Sequence, residues 1–156
     1  MVFYVVAVGR LKDSLIRDSC MKYVARVGHY AKLEIVEVRD GGRPDNRAAA
    51  AREDEGESLL KAIPGGARIV ALTRTGNAET SSRFARRIGD WRDQGVDVAF
   101  VIGGAHGLSE GLLTRADHRL SISQMTLPHE LARLMLLEQL YRACTILRGE
   151  PYHKGG

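Results

Sequence analysis

The amino-acid sequence predicts an α/β protein with a mostly parallel β-sheet and helices on both of its faces. Short runs rich in Val, Ile and Phe alternate with segments of helical length along the 156 residues. This alternation is typical of βαβ units, because two parallel strands need a crossover connection that is usually a helix. The gaps between the runs are too short for a linker, so we expect one domain over residues 1–156.

Five apolar runs predict the strands. Each run is four to eight residues long and rich in the branched residues that strands favour. The predicted strands are residues 2–8, 33–38, 68–72, 96–102 and 120–125.

The intervening segments end on residues that are typical of helix termini. Ser81 or Ser82 can cap the third helix, Gly65 and Gly95 lie where C-terminal glycines are common, and Pro128 suits a first helical position. The predicted helices are residues 13–28, 47–62, 81–94, 110–116 and 128–147.

The last predicted helix is apolar around most of its circumference. Leu131, Leu134, Leu136 and Leu140 point in different directions, so the helix needs cover on two sides and one sheet supplies only one. A homodimer interface is the favoured second cover, and crossing by the chain's own loops is the alternative.

Composition excludes several classes of protein. With 44% hydrophobic and 27% charged residues, the chain fits none of the disordered, collagen-like or coiled-coil classes. No apolar stretch approaches the ~18 residues of a membrane span, and the first nine residues are typical of a strand, not a signal peptide. We therefore expect a cytoplasmic protein without membrane contact. A net charge of +4 permits a nucleic-acid partner without requiring one.

Neither cysteine spacing nor histidine spacing indicates a metal site. Cys20 and Cys144 lie far apart, with no CxxC pair, and we expect both to be buried free thiols.

Three loops follow predicted strands at residues 72–76, 102–108 and 122–129. Because ligands bind beyond the carboxyl ends of parallel strands, these loops can form one pocket. The middle loop contains Gly-Gly-Ala-His-Gly, which is neither a Walker loop nor a dinucleotide fingerprint. By itself it is compatible with a tight turn or with a ligand loop.

Longer motifs resemble one known family. IGGAHGL, SISQMTLPHELARLMLLEQLYRACTI and the terminal RGEPYHKGG, together with VVAVGRLK and EGESLL, are similar to the RlmH family of SPOUT methyltransferases. The similarity covers essentially the whole chain. It implies methylation of N3 of a pseudouridine in 23S ribosomal RNA with S-adenosylmethionine. It also implies a homodimer and a C-terminal trefoil knot that holds the cofactor, within about residues 68–156.

The resemblance implies a cofactor site made mainly of backbone groups and apolar side chains. Adenine needs a flat apolar slot with N–H and C=O groups at its edge, which glycine turns beside leucine and isoleucine can supply. The implied cofactor residues, with two glycines added from the middle loop, are Leu72, Gly103, Gly104, Gly107, Ile122, Ser123, Gln124, Met125, Thr126 and Leu127.

Four polar residues are the candidates for catalysis. His129 or His153 could accept the imide proton, Arg142 could stabilise charge on the imide oxygens or hold phosphate, and Tyr152 could stack on a base. Arg148 and Lys154 are candidate phosphate contacts, and no metal is needed because the methyl donor is itself reactive.

One departure from the family pattern stands in the first loop. Relatives commonly have an acidic residue after the leucine, where this chain has Thr73 and then Arg74. Two alternatives remain open: a SPOUT methyltransferase that acts on tRNA, and an RNA-binding module without catalysis.

Overall fold

The computed structural model describes residues 1–41 and 47–153, without the side chain of His153. Lys154 therefore lies outside the described residues. The strands are β1 (Val2–Val8), β2 (Lys32–Val38), β3 (Arg68–Ala78), β4 (Val98–Ile102) and β5 (His118–Ser121). The helices are α1 (Ser14–Gly28), α2 (Ala48–Ala62), α3 (Ser81–Asp93), α4 (Glu110–Arg115) and α5 (His129–Leu147), and a 3₁₀ turn follows at Pro151–His153.

The five strands form one sheet in the order β2-β1-β4-β3-β5, and all four pairings are parallel. This confirms the predicted parallel sheet. All five residues of β4 are buried, as expected of a strand with helices above and below it.

Two apolar layers confirm that helices cover both faces. On the first face, Phe3 and Phe100 of the sheet pack with residues of α1, α3 and α5, among them Cys20, Phe84 and Leu140. On the second face, Val6 and Val101 belong to the cluster that contains Leu59 of α2 and Leu112 of α4. Successive strand residues alternate between the two clusters, as the pleat requires.

Both cysteines are buried free thiols, as the sequence predicted. Cys20 lies in α1 and Cys144 in α5. Burial raises the pKa of Cys144 to about 11, so this thiol stays protonated at neutral pH.

The helix boundaries follow the sequence with small corrections. The side chain of Thr80, not of Ser81 or Ser82, caps α3 by accepting a hydrogen bond from the backbone of Arg83 at 3.2 Å. Pro128 is the residue before α5 and not its first helical residue. Its missing N–H costs nothing there either.

Several strand boundaries were predicted wrongly. Strand β4 begins at Val98 and not at residue 96, and β5 begins at His118 and not at residue 120. Strand β3 continues to Ala78, through residues expected to form a loop, and β5 ends at Ser121, so residues 122–125 are not a strand. The register between β3 and β5 shifts between Leu72 and Asn77. Beyond Ser121 the chain turns, and the Ser123 hydroxyl accepts a hydrogen bond from the Met125 N–H at 3.0 Å. Such local side-chain bonds compete with strand pairing.

Helix α5 receives most of its cover from this chain. It packs between α1 and α3 over the sheet, and each of its residues is buried or half-buried. In the described part of the chain, no helix is long and apolar enough to cross a membrane.

Candidate functional site

The three segments predicted to form a pocket lie on or directly after neighbouring strands of the sheet, although the first of them, residues 72–76, is part of β3 and not a loop. Because β3 lies between β4 and β5, Leu72 in β3, Gly103 after β4 and Ile122 after β5 come from neighbouring strands. The strand order therefore brings together segments that are about 50 residues apart in sequence.

The middle loop is a tight glycine turn, which we call the glycine loop (Gly103–Gly107). The Gly107 N–H donates to the Gly104 carbonyl at 3.1 Å, and Gly107 has φ +79°. A Cβ on Gly103 would lie 2.7 Å from the backbone of Gly107. Glycine is required at both positions, one for its conformation and one for close approach.

The loop after β5 presents backbone groups to solvent. Gln124, Met125 and Thr126 are exposed, and Met125 is 78% exposed. Within the described residues, the backbone groups of Gln124, Thr126 and Leu127 form no hydrogen bonds with other backbone groups. These groups are available to the polar edge of a ligand, beside the half-buried Leu72 and Ile122.

A cavity of about 190 Å³ opens beside Ile122, between β5, α3 and α5. Typical pockets for whole ligands measure about 300–1,000 Å³, so this cavity has room for part of a cofactor only. Its lining is apolar with four polar side chains: Glu79, Ser81, Phe84, Leu120, Ser121, Ile122, Met135, Leu136 and Gln139.

Glu79 is the buried charge of that cavity, and the sequence analysis did not identify it. Its side chain is 2% exposed and forms an ion pair with Arg87. Glu79 Oε1 also lies 3.4 Å from His118 Nε2. Burial, followed by the nearby Arg87 charge, lowers the pKa of His118. His118 is therefore mainly neutral at pH 7, and Arg87 is the cation that balances Glu79.

His129 is the first residue of α5 and is half-buried at the carboxyl edge of the sheet. The next residue, Glu130, accepts hydrogen bonds from the backbone N–H groups of Lys12 at 2.8 Å and Asp13 at 3.2 Å. These bonds lower the pKa of Glu130, and the bond from Lys12 has the largest effect. They join the first turn of α5 to the start of α1.

Arg142 and Tyr152 lie together, further along α5. Glu138 Oε1 accepts hydrogen bonds from Arg142 Nη2 at 2.8 Å and from the Tyr152 hydroxyl at 3.2 Å. The Arg142 guanidinium lies 4.9 Å from the centre of the Tyr152 ring. Glu138 was missed by the sequence analysis, although its spacing of four residues from Arg142 is typical of a helical ion pair.

The structure thus divides the predicted site into two groups. His129 adjoins the loops, whereas Glu138 lies nine residues later in α5, which corresponds to about 14 Å along a helix axis. Hydrogen bonds connect Glu138 to the wall of the cavity, because Gln139 donates to Glu138 at 2.6 Å and accepts from Ser81 at 2.7 Å.

Aromatic contacts hold the C-terminal turn against α1 and α5. The Tyr152 and Tyr141 ring centres are 4.6 Å apart, and the Tyr152 and Tyr23 hydroxyl oxygens are 3.4 Å apart. Tyr30 donates a hydrogen bond to Glu150, which raises the pKa of Tyr30 to about 12. These contacts hold the last described part of the chain, which runs to the backbone of His153.

Thr73 and Arg74 follow Leu72 within β3. The Thr73 and Thr75 hydroxyl oxygens are 3.2 Å apart, and Arg74 is exposed. The Ser121 hydroxyl donates to the Arg74 carbonyl at 3.2 Å, which fixes this part of β3 against the end of β5. Over residues 1–41 and 47–153, no three His, Cys, Asp or Glu side chains are grouped so as to hold a metal ion.

Comparison with known proteins identifies the family. The family described as "Predicted SPOUT methyltransferase" matches residues 1–153. "Ribosomal RNA large subunit methyltransferase H" of Anaeromyxobacter sp. (strain Fw109-5) is 50% identical over 150 residues, covering 96% of this chain and 97% of the relative. The protein of the same name from Pelotomaculum thermopropionicum is 47% identical over 154 residues, covering 96% of each chain.

Among solved structures, a probable methylase family protein from Haemophilus influenzae Rd KW20 has a similar fold. The TM-score is 0.55 at 13% identity, and the match covers 94% of this chain and 66% of that longer one. A sequence identity this low indicates a shared fold and nothing more. The profile match and the identities near 50% over almost the full length lead to one conclusion: this chain belongs to the SPOUT methyltransferase family.

Proposed function

We propose that the protein transfers a methyl group from S-adenosylmethionine to N3 of a pseudouridine in 23S ribosomal RNA, on the assembled ribosome. The observation that supports this most is the meeting of Leu72, Gly103 and Ile122 at one edge of the sheet. It occurs in a chain about 50% identical to proteins named for methylating large-subunit ribosomal RNA.

The residues at this edge fit S-adenosylmethionine. The glycine loop gives close access to backbone, and the loop from Ile122 to Leu127 offers N–H and C=O groups that have no backbone partner among the described residues. Leu72 and Ile122 provide apolar surface for a flat ring. When bound, the cofactor supplies a methyl group activated by a sulfonium.

The chain's own residues must remove a proton and hold the base. The N3–H of pseudouridine is a weak acid, and His129 or His153 is the proposed acceptor of its proton. Glu138, through its hydrogen bonds, raises the pKa of Arg142. The permanently charged guanidinium can stabilise negative charge on the imide oxygens, and Tyr152 can stack on the base.

The assembled ribosome is the proposed substrate because of the chain's charge. A net charge of +4 is small, so release of counterions from free RNA would contribute little to affinity. A preformed surface of the ribosome can supply recognition that so small a net charge does not supply.

A homodimer in the cytoplasm is part of the proposal. Leu15 and Met21 of α1 are 77% and 60% exposed, and α1 packs against α5. A twofold axis over these helices would bring Arg142 and Tyr152 of one copy toward the loops of the other. This arrangement would close the distance that separates the two groups within one chain.

The C-terminal trefoil knot is proposed for residues 68–156 of a single domain. One close approach between distant segments supports it: a Cβ on Gly76 would lie 2.8 Å from the backbone of Arg119 and Leu120. Backbone segments in direct contact are what a tightly threaded chain requires. Single-molecule pulling tests the knot, because a knotted chain extends to less than its full contour length.

Calorimetry and methyl transfer test the function. We expect S-adenosylmethionine to bind at low salt, and labelled methyl groups to enter 23S RNA of ribosomes from a strain that lacks the modification. Ribosomes that already carry the methyl group are the control and should accept none. Transfer to tRNA instead would favour the tRNA-modifying alternative, and absence of binding heat would contradict the methyltransferase proposal.

A further inference from the structure

Glu55 is a buried acid on the face of the sheet opposite to α5. It lies in α2 and is 4% exposed. Its Oε1 accepts a hydrogen bond from the Gly41 N–H at 3.1 Å, and its Oε2 is buried without a hydrogen-bond partner among the described residues. Burial raises the pKa of Glu55, and the Gly41 N–H lowers it.

The Glu55 carboxyl lies against the glycine loop. A Cβ built on Gly104 would be 3.0 Å from Glu55 Oε2 and 3.1 Å from Val8 Cγ1. Glu55 therefore occupies the space that a side chain at position 104 would need. This contact joins α2 to the loop between β4 and α4.

The next residue of α2 contacts the far end of the same segment. A Cβ on Gly56 would lie 2.1 Å from the Ser109 hydroxyl oxygen. Ser109 is 2% exposed and caps α4 by accepting a hydrogen bond from the Leu112 N–H at 3.2 Å. Glu55 and Gly56 thus touch both ends of the segment from Gly104 to Ser109.

We infer that Glu55 is a positioning residue for cofactor binding, which fixes the glycine loop at Gly104 so that Gly103 and Gly107 present their backbone to S-adenosylmethionine. A turn with three glycines has many accessible conformations, and an external contact is needed to select one of them. The inference rests on the proposed function, because it concerns the same cofactor site. Glu55 contacts the glycine loop on the side that faces away from the ligand.

The first test compares Glu55→Ala, Glu55→Asp and Glu55→Gln by calorimetry with S-adenosylmethionine. Glu55→Ala removes the carboxyl, and Glu55→Asp moves it back by one methylene group. Both changes take the acceptor from the Gly41 N–H and the contact from the glycine loop, so both should raise the Kd for S-adenosylmethionine about tenfold. kcat at saturating cofactor should change less than about twofold, since Glu55 touches no reacting group. Glu55→Gln keeps the shape and the Oε1 acceptor and should restore most of the affinity.

A variant with reduced Tm but wild-type Kd would overturn the inference, because it would make Glu55 a stabilising residue only. Glu55→Asp serves if the alanine variant does not fold. Failure of the proposed function gives a different result, since the wild-type protein would then bind no cofactor at all.

The second test uses the contact with Gly104. Gly104→Ala should weaken cofactor binding in the wild-type background and have a smaller effect together with Glu55→Ala, which provides room for the methyl group. Equal effects in both backgrounds would overturn the inference. Gly111→Ala is the matched control, because the nearest atom to its Cβ would be Ser109 Oγ at 4.0 Å, and it should leave Kd unchanged.

Discussion

Arg133 shows at the scale of a single residue how this chain joins its elements. It lies in α5 and is 1% exposed, with Nη1 paired to Glu37 of β2 and Nη2 donating to the Gly9 carbonyl at 2.9 Å. The residues around Arg133 in the sequence are mostly apolar, so the sequence did not predict a buried ion pair at this position. One side chain connects the ends of β1 and β2 with the last helix.

Arg133→Ala should destabilise the fold by about 3 kcal/mol, because it leaves Glu37 and the Gly9 carbonyl without their donor inside the protein. Urea unfolding measures this free energy. Glu37→Gln is the milder comparison, since the Glu37 side chain is 32% exposed and water can replace part of the pair. A loss below about 1 kcal/mol for Arg133→Ala would show that the pair contributes little.

At the scale of elements, the contact between β3 and β5 sets the shape of the site. The pairing shifts register between Leu72 and Asn77, and Gly76 lies against the backbone of Arg119 and Leu120. Because backbone atoms cannot rotate away as a side chain can, the two strands can approach only where one residue lacks a Cβ. This close pairing places Leu72 beside the start of the loop at Ile122.

Gly76→Ala should therefore destabilise the protein by about 2 kcal/mol or more, since the methyl group would force the strands apart. Cofactor affinity should fall as well. Gly65→Ala is the matched control, because no atom lies within 4 Å of its Cβ position, and its unfolding free energy should stay within about 0.5 kcal/mol of wild type. Thermal and urea unfolding of both variants distinguish the outcomes.

At the scale of the whole molecule, the two groups of predicted site residues require an explanation. The loops and His129 lie at the edge of the sheet, and Arg142 and Tyr152 are held by Glu138 further along α5. In the proposed dimer each active site would combine the loops of one copy with the C-terminal turn of the other.

Mixing two inactive variants tests this arrangement. One variant lacks residues 151–156, and the other has a substitution in the exposed loop 123–126 chosen for loss of cofactor binding. In a twofold dimer, half of the mixed molecules are heterodimers with one intact site each, so about a quarter of wild-type activity should return. No recovery, with heterodimers shown to form, would place each complete site within one chain.

The sequence predicted much of the fold because its signals are local. Apolar alternation located β1 to within a residue of its observed bounds, and the helices matched to within two residues. The boundaries of β3 and β5 were predicted wrongly. A strand ends where its neighbour stops pairing with it, and that neighbour is distant in sequence. The motifs also indicated the family, which the comparisons confirm.

By itself, the sequence determined the class of fold, the family and the glycine loop, since these depend on periodicity and on short ordered motifs. The tertiary structure alone decided which strands are neighbours, and hence that Leu72, Gly103 and Ile122 lie on or directly after adjacent strands. It also revealed Glu55 beneath Gly104, Arg133 between two strand ends and Glu138 between Arg142 and Tyr152. The physical reason is that a buried charge is defined by its partners, and here the partners of Glu55 and Arg133 come from distant parts of the chain.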